Sequence, residues 1–185
     1  MLIVIGGLPG TGKTTVSRGL AKRCAATYLR IDLIEQAIRA ADVLAADVGP
    51  AGYRVANALA AVNLALGRTV IADCVNPVAA SRRAWRAVAV GAGIRLLEIE
   101  VICSDRVEHR RRVETRASDI PGLKPPSWTS VMRHEFEPWD RPHLILDTSR
   151  LSAADAISLV EQHTGQASRP ADVQFISPPA RPEAG

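Results

Sequence analysis

At 185 residues, 47% hydrophobic and 23% charged, the chain has the size and composition of one globular domain, and disorder throughout is excluded. Its longest apolar stretch, Val55 to Leu66, is broken by two asparagines and falls well short of the roughly 20 residues that cross a bilayer, so no transmembrane helix is expected. A net charge of +4 suits acidic partners, but only three of the 23 basic residues are lysines, a bias too general to select nucleic acid.

The first residues, MLIVIGG, lack a charged leader and cleavage site and read as a buried strand. Further along, Thr27–Ile31, Thr69–Ala72, Ile94–Cys103 and Leu144–Leu146 are short apolar runs that predict strands. Between them, Lys13–Ala25, Leu33–Ala41, Gly52–Leu66, Val78–Ala92, Asp105–Ala117 and Ala153–His163 have helical spacing or composition. Asp32, Ser104 and Ser152 stand where helix caps are expected. This alternation predicts parallel β/α units with helices on both sheet faces. Prolines at 121, 125 and 126 exclude regular structure from Asp119 to Trp128, which reads as a mobile surface segment. The last stretch, 164–185, is rich in proline and reads as a flexible tail after a single domain at 1–163. Three cysteines at wide separations form neither a disulfide framework nor a zinc pattern, which fits a reducing cytoplasm.

Gly7-Leu8-Pro9-Gly10-Thr11-Gly12-Lys13-Thr14 fits G-x-x-x-x-G-K-[ST] between the first strand and the first helix. Glycines let the backbone curl so that successive N–H groups face phosphate oxygens, and the helix start adds a favourable dipole. Lys13 is placed to reach the β- and γ-phosphates, and Thr14 offers a hydroxyl to Mg²⁺, with Thr15 in support. A nucleoside triphosphate, ATP, and Mg²⁺ are the expected cofactors.

Ligands of an open parallel sheet gather beyond the carboxyl ends of its strands, where Asp32 and Asp73 fall. One acid there can accept the proton of an incoming hydroxyl, and another can hold substrate or a metal-bound water. Asp32 is the candidate base, with a helix cap as its alternative role; Asp73 is a substrate or metal-water ligand or else a loop carboxylate.

The phosphate loop, Asp32, VIADCVNP and RRRVETR together resemble small P-loop kinases over about residues 1–163. That group includes polynucleotide 5′-hydroxyl kinases, chloramphenicol phosphotransferase, zeta toxins, gluconate kinase and predicted kinases, the last being most similar. The resemblance implies a P-loop NTPase three-layer α/β sandwich, a mainly parallel five-stranded sheet and a small lid around 105–130. It also puts the general base on Asp32 and substrate contacts on Asp73 and Asn76. Glu35 replaces the arginine that polynucleotide kinases carry three residues after the aspartate, and Asn76 sits one place later than in their commonest form. Asp32-Leu33-Ile34 also departs from the Asp-x-Asp of shikimate kinases.

Helical spacing places Arg112 and Arg116 one turn apart, a pair suited to neutralise charge on a transferring phosphate, with Arg110 as alternate. The alternative is a solvated helix in which Glu108 and Glu114 pair with these arginines. Trp128 either covers a ligand ring or anchors the lid, and the four histidines lack metal spacing. The expected activity is ATP-dependent transfer of the γ-phosphate to a hydroxyl of a small molecule. Nucleic-acid 5′-hydroxyl transfer, or a noncatalytic or hydrolytic nucleotide switch, are the alternatives. No Asn-Lys-x-Asp guanine motif occurs.

Overall fold

The structure is a computed structural model and describes residues 1–42 and 47–165. Its elements in chain order are β1 (Leu2–Gly6), α1 (Lys13–Cys24), β2 (Thr27–Arg30), α2 (Ile31–Ala40), α3 (Ala51–Ala65), β3 (Val70–Asp73), α4 (Ala79–Gly91), β4 (Leu96–Ile102), α5 (Arg106–Thr115), α6 (Trp128–Met132), β5 (Leu144–Asp147) and α7 (Ala153–Gly165). The five strands form one wholly parallel sheet in the order β2-β3-β1-β4-β5.

Strand alternation builds two cores. Leu2 and Val4 of β1 point to one face, where Ala56, Ala60 and Leu64 of α3 and Trp85 of α4 cover them. Ile3 and Ile5 point to the other, beneath Val16 and Leu20 of α1 and Ile157 and Val160 of α7. All five residues of β1 are buried, which explains its unbroken apolar run. Because β1 is central, the loop that follows it emerges between β3 and β4 at the carboxyl edge of the sheet.

Several local expectations change. Residue 31 leaves the sheet and opens α2 directly, so Arg30 occupies the cap position and Asp32 lies inside the first helical turn. Asp32 is therefore not a cap. Nor is Ser104: the Asp105 carboxylate accepts the N–H groups of Val107 and Glu108 at 2.9 and 3.0 Å and caps α5. Ser152 does receive the Asp155 N–H at 3.1 Å, and its own hydroxyl donates to that carboxylate at 2.6 Å. Strand β4 begins at Leu96, two residues later than expected, since Gly93 at φ 62° and Ile94 still belong to the turn after α4. α5 stops at Thr115, leaving Arg116 extended beyond it. A short helix, α6, starts at Trp128 under a Ser127 cap. Of the expected tail, 164 and 165 complete α7, and 166–185 lie outside the described residues.

Candidate active site

The loop from Gly7 to Thr14 is shaped by contacts that leave its phosphate-facing amides free. The Gly7 N–H donates to the Val75 carbonyl at 3.0 Å, and the Thr11 hydroxyl turns back onto the Leu8 carbonyl at 2.9 Å. A side chain at Gly7 would collide with the Val101 carbonyl of β4. Gly10 has φ 86° and Gly12 φ 91°, and α1 starts with no side-chain cap and no acid in its first turn. An uncapped helix start with orphan N–H groups is an anion site. Lys13 is only 5% exposed, which restricts its ammonium to the neighbourhood of the loop.

A cavity of about 540 Å³ opens over this loop, and Lys13, Thr14 and Thr15 line it together with Arg112 and Arg116. The structure thus brings the loop and both arginines into one space. Their states differ. Arg112 donates from Nε to Glu108 at 2.7 Å and from its two Nη atoms to the hydroxyl and carbonyl of Thr148 at 2.8 and 3.1 Å. The Arg116 guanidinium has no acid partner among the described residues. Arg110 pairs with Glu114 and Arg111 with Glu108, both at the surface, so those two follow the solvated-helix alternative. These hydrogen bonds from Arg111 and Arg112 pull the Glu108 carboxyl down to about 2.

Asp73 ends β3 at 1% exposure, beside the phosphate loop because β3 pairs with β1 at Ile5. The Tyr28 hydroxyl donates to its Oδ2 at 2.6 Å, and Arg30 approaches the same oxygen at 4.0 Å. Burial, reinforced by the Asp73 charge, raises the Tyr28 phenol far above its ordinary range, so it stays a donor. Oδ1 of Asp73 is buried with no hydrogen-bond partner. An orphaned carboxylate oxygen and a threonine hydroxyl at the start of α1 are hard donors of the kind Mg²⁺ takes: Thr14 would hold the ion, Asp73 its water, and the bound ion would neutralise phosphate charge.

Asp32 lies at partial exposure in α2, and no described residue hydrogen-bonds its carboxylate. Its charge helps raise the pKa of Glu35 and of Tyr53, in both of which burial is the larger cause. Asn76 differs from expectation in being wholly buried, at φ 54°. Its backbone N–H donates to the Tyr53 hydroxyl at 2.9 Å and its Oδ1 accepts from Ser81 at 2.9 Å, while Nδ2 has no partner. As placed, it supports the turn after β3 and is closed to a substrate.

Four residues that the sequence did not single out for the site complete it. Arg30 lines the cavity with its side chain 7% exposed, and its Nη1 donates to both oxygens of Asp119 at 2.8 and 2.9 Å. Arg18 of α1 joins the same carboxylate at 3.0 Å, so Asp119 is the single acid among six cations lining the cavity. The Arg30 hydrogen bond, helped by the charges of Arg30 and Arg18, lowers the Asp119 pKa. His109 of α5 meets the Pro9 carbonyl at 2.8 Å through Nε2, which therefore carries the hydrogen. Burial lowers its pKa. Trp128 packs edge-on against His109 with centroids 5.1 Å apart, the anchoring role rather than an open platform. No local signal marks the contacts of Arg18 and Arg30 with Asp119 or of His109 with Pro9, whose partners lie 89 to 101 residues apart; only Val113, buried one turn after His109, hinted at a packed face.

A larger groove of about 970 Å³ follows β4 and β5 between Ala89, Ile94, Leu144 and Leu159 and touches no residue of the phosphate loop. Among the described residues no helix is long and apolar enough to cross a membrane, and no three His, Cys, Asp or Glu side chains cluster to hold a metal.

No curated protein matches the chain. Solved structures do. A sugar kinase from Janibacter sp. HTCC2649 superposes with a TM-score of 0.65 at 18% identity, covering 90% of this chain and 95% of that one. Kti12 of Chaetomium thermophilum in complex with ADP-AlF3 gives 0.62 at 23% identity, over 89% and 98% of the two chains. The Mycobacterium tuberculosis APS kinase CysC in complex with AMPPNP and APS gives 0.62 at 19%, over 88% and 96%. At such identities the likeness establishes the fold, an α/β P-loop NTPase sandwich. The model of the family described as AAA domain matches residues 2–127, more than half of the sequence, and the chain belongs to this family.

Proposed function

We propose that the protein is an ATP-dependent kinase that transfers the γ-phosphate to a hydroxyl group of a small molecule. The observation that carries this reading is the convergence, in one cavity, of an uncapped helix start, buried Lys13 and two lid arginines beside a loop of free amides. Such an array favours the charge of a triphosphate and of the loose transition state of phosphoryl transfer. Asp32, on the α2 side of the phosphate loop with an unengaged carboxylate, accepts the proton of the attacking hydroxyl; Asp73 and Thr14 serve the Mg²⁺ ion and its water. The nucleotide-bound states named for Kti12 and APS kinase support nucleotide binding on this fold. Glu35, which pairs with Arg39 where polynucleotide kinases carry an arginine, offers no cation to a nucleic-acid phosphate.

The test is transfer from γ-labelled ATP to a panel of sugars, amino alcohols, nucleosides and 5′-hydroxyl oligonucleotides, with product identification. Lys13→Ala is expected to abolish binding of Mg-ATP. Asp32→Asn is expected to keep nucleotide affinity and cut transfer by about 10² or more, the range of general-base catalysis. Near-parental transfer by a folded Asp32→Asn variant removes Asp32 as base, and hydrolysis without transfer to any acceptor on the panel overturns the kinase reading.

A further inference from the structure

We infer that Thr148, the residue after β5, is a positioning residue that sets the phosphate cradle and the lid arginine at once. This rests on the nucleotide-site reading above. The Thr148 hydroxyl donates to the Thr11 carbonyl of the phosphate loop at 2.7 Å, with the Ile102 carbonyl at 3.2 Å as a weaker second acceptor. The same oxygen accepts from Arg112 Nη1 at 2.8 Å, and the Thr148 carbonyl accepts from Nη2 at 3.1 Å. One side chain thereby joins two parts of the site that are 101 residues apart in sequence, Thr11 and Arg112.

The consequence follows from amide geometry. No cis peptide bond occurs among the described residues, so the Thr11 carbonyl and the Gly12 N–H point in opposite directions from one planar unit. Fixing the carbonyl on Thr148 turns the Gly12 N–H away from it, to the side where Gly12 lines the cavity. The Thr148 backbone N–H is itself tied to the Ile102 carbonyl of β4 at 2.9 Å, so the hydroxyl is held by the sheet rather than by a loose loop. Its methyl lies 3.4 Å from where a Cβ on Gly12 would stand, closing the gap behind that glycine.

Arg112 is held equally firmly. Glu108, itself one turn back on α5, takes Nε, and Thr148 takes one N–H from each Nη, which leaves two N–H groups to face a phosphate. Arg112 is therefore pre-oriented by the sheet, whereas Arg116, beyond the end of α5, is the arginine with freedom to follow the phosphate as it moves. Thr148 acts through Gly12 and Arg112 and does not itself touch the nucleotide.

Binding of Mg-AMPPNP, measured calorimetrically on the full chain, tests this without any acceptor. Thr148→Val keeps the methyl and the shape but removes the hydroxyl, and is expected to weaken binding about tenfold, the worth of one hydrogen bond to a charged group. Thr148→Ser restores the hydroxyl and is expected to bind within about threefold of the parent. Arg112→Ala should weaken binding by a similar factor, and adding Thr148→Val to it should cost less than about threefold more, because the two act as one unit. A valine variant within about twofold of the parent, a serine variant as weak as valine, or factors that multiply in the double variant would each overturn the inference. Should the valine variant not fold, Thr148→Ser against Arg112→Ala still decides it: strong binding by serine and weak binding by alanine support it, and the reverse refutes it. A parent chain that does not bind Mg-AMPPNP removes the nucleotide reading itself, a different result from variants that match a binding parent.

Discussion

Replacing Gly10 by alanine puts one methyl group where the phosphate loop rests on α5. The backbone there has φ 86°, and a Cβ would stand 2.5 Å from Cγ2 of Val113 and 3.2 Å from Cδ2 of His109. Val113 is 2% exposed and branched at Cβ, so it has no free rotamer into which to withdraw. Holding an alanine in the left-handed region costs about 1–2 kcal/mol. Overpacking a well-filled contact adds about 1–3 kcal/mol. The substitution should therefore cost about 2–5 kcal/mol, a large part of the roughly 5–15 kcal/mol that holds a domain folded. Urea unfolding followed by far-ultraviolet dichroism measures it, and Mg-AMPPNP affinity should fall in parallel. Val113→Ala removes the obstructing methyls but not the backbone strain. The double variant should therefore be more stable than the sum of the single losses by about 1 kcal/mol or more. A Gly10→Ala variant within about 0.5 kcal/mol of the parent, the ordinary scatter of surface substitutions, would refute this account of the loop.

Arg116→Ala should leave Mg-AMPPNP affinity almost unchanged and reduce turnover by about 10³, once an acceptor is in hand, because this arginine meets charge that develops only during transfer; equal losses in binding and turnover would contradict that division. Stability should also depend on His109. Burial lowers its pKa from 6.5, so the folded state prefers neutral imidazole; the contribution is full above pH 6.5 and is lost as the pH falls through the lowered value. Thermal melting across pH 7.5 to 5 should show a shallower loss for His109→Gln than for the parent, and identical slopes would exclude His109 as the cause. Asp119 and Glu108, both lowered, enter only below their ordinary 3.8 and 4.5.

The phosphate loop and the parallel architecture were legible because both are local: a glycine pattern fixes the first, and apolar runs alternating with amphipathic stretches fix the second. Strand order was not, since nothing in the runs themselves says that β1 lies between β3 and β4. The Asp32 cap failed for a related reason. Sequence reading places a connection between strand and helix, whereas β2 passes into α2 at Ile31 with none. The arginine cluster after β4 split as its surroundings dictate: Arg110 and Arg111 find acids three or four residues away at the surface, whereas Arg112, though it too meets Glu108, and Arg116 reach the cavity. Arg82 carried no signal at all. It reads as an ordinary helical arginine, yet it is wholly buried, 5.0 Å over the Trp139 ring, and holds the carbonyls of Glu137 and Pro138 at 3.2 and 2.9 Å. Only the folded chain brings that loop to α4.

The central position of β1 has a consequence for synthesis. Its partners, β3 and β4, begin 65 or more residues downstream, at Val70 and Leu96. On the ribosome, at about 5–20 residues per second, the LIVIG segment must wait several seconds before either neighbour exists to pair with it. The nascent phosphate loop is unsupported over the same interval, because Val75 and Val101, against which Gly7 is set, are not yet made. Strand β1 thus precedes both of its neighbours by several seconds of synthesis, and during that interval its apolar side chains are a natural target for chaperones that recognise extended hydrophobic segments.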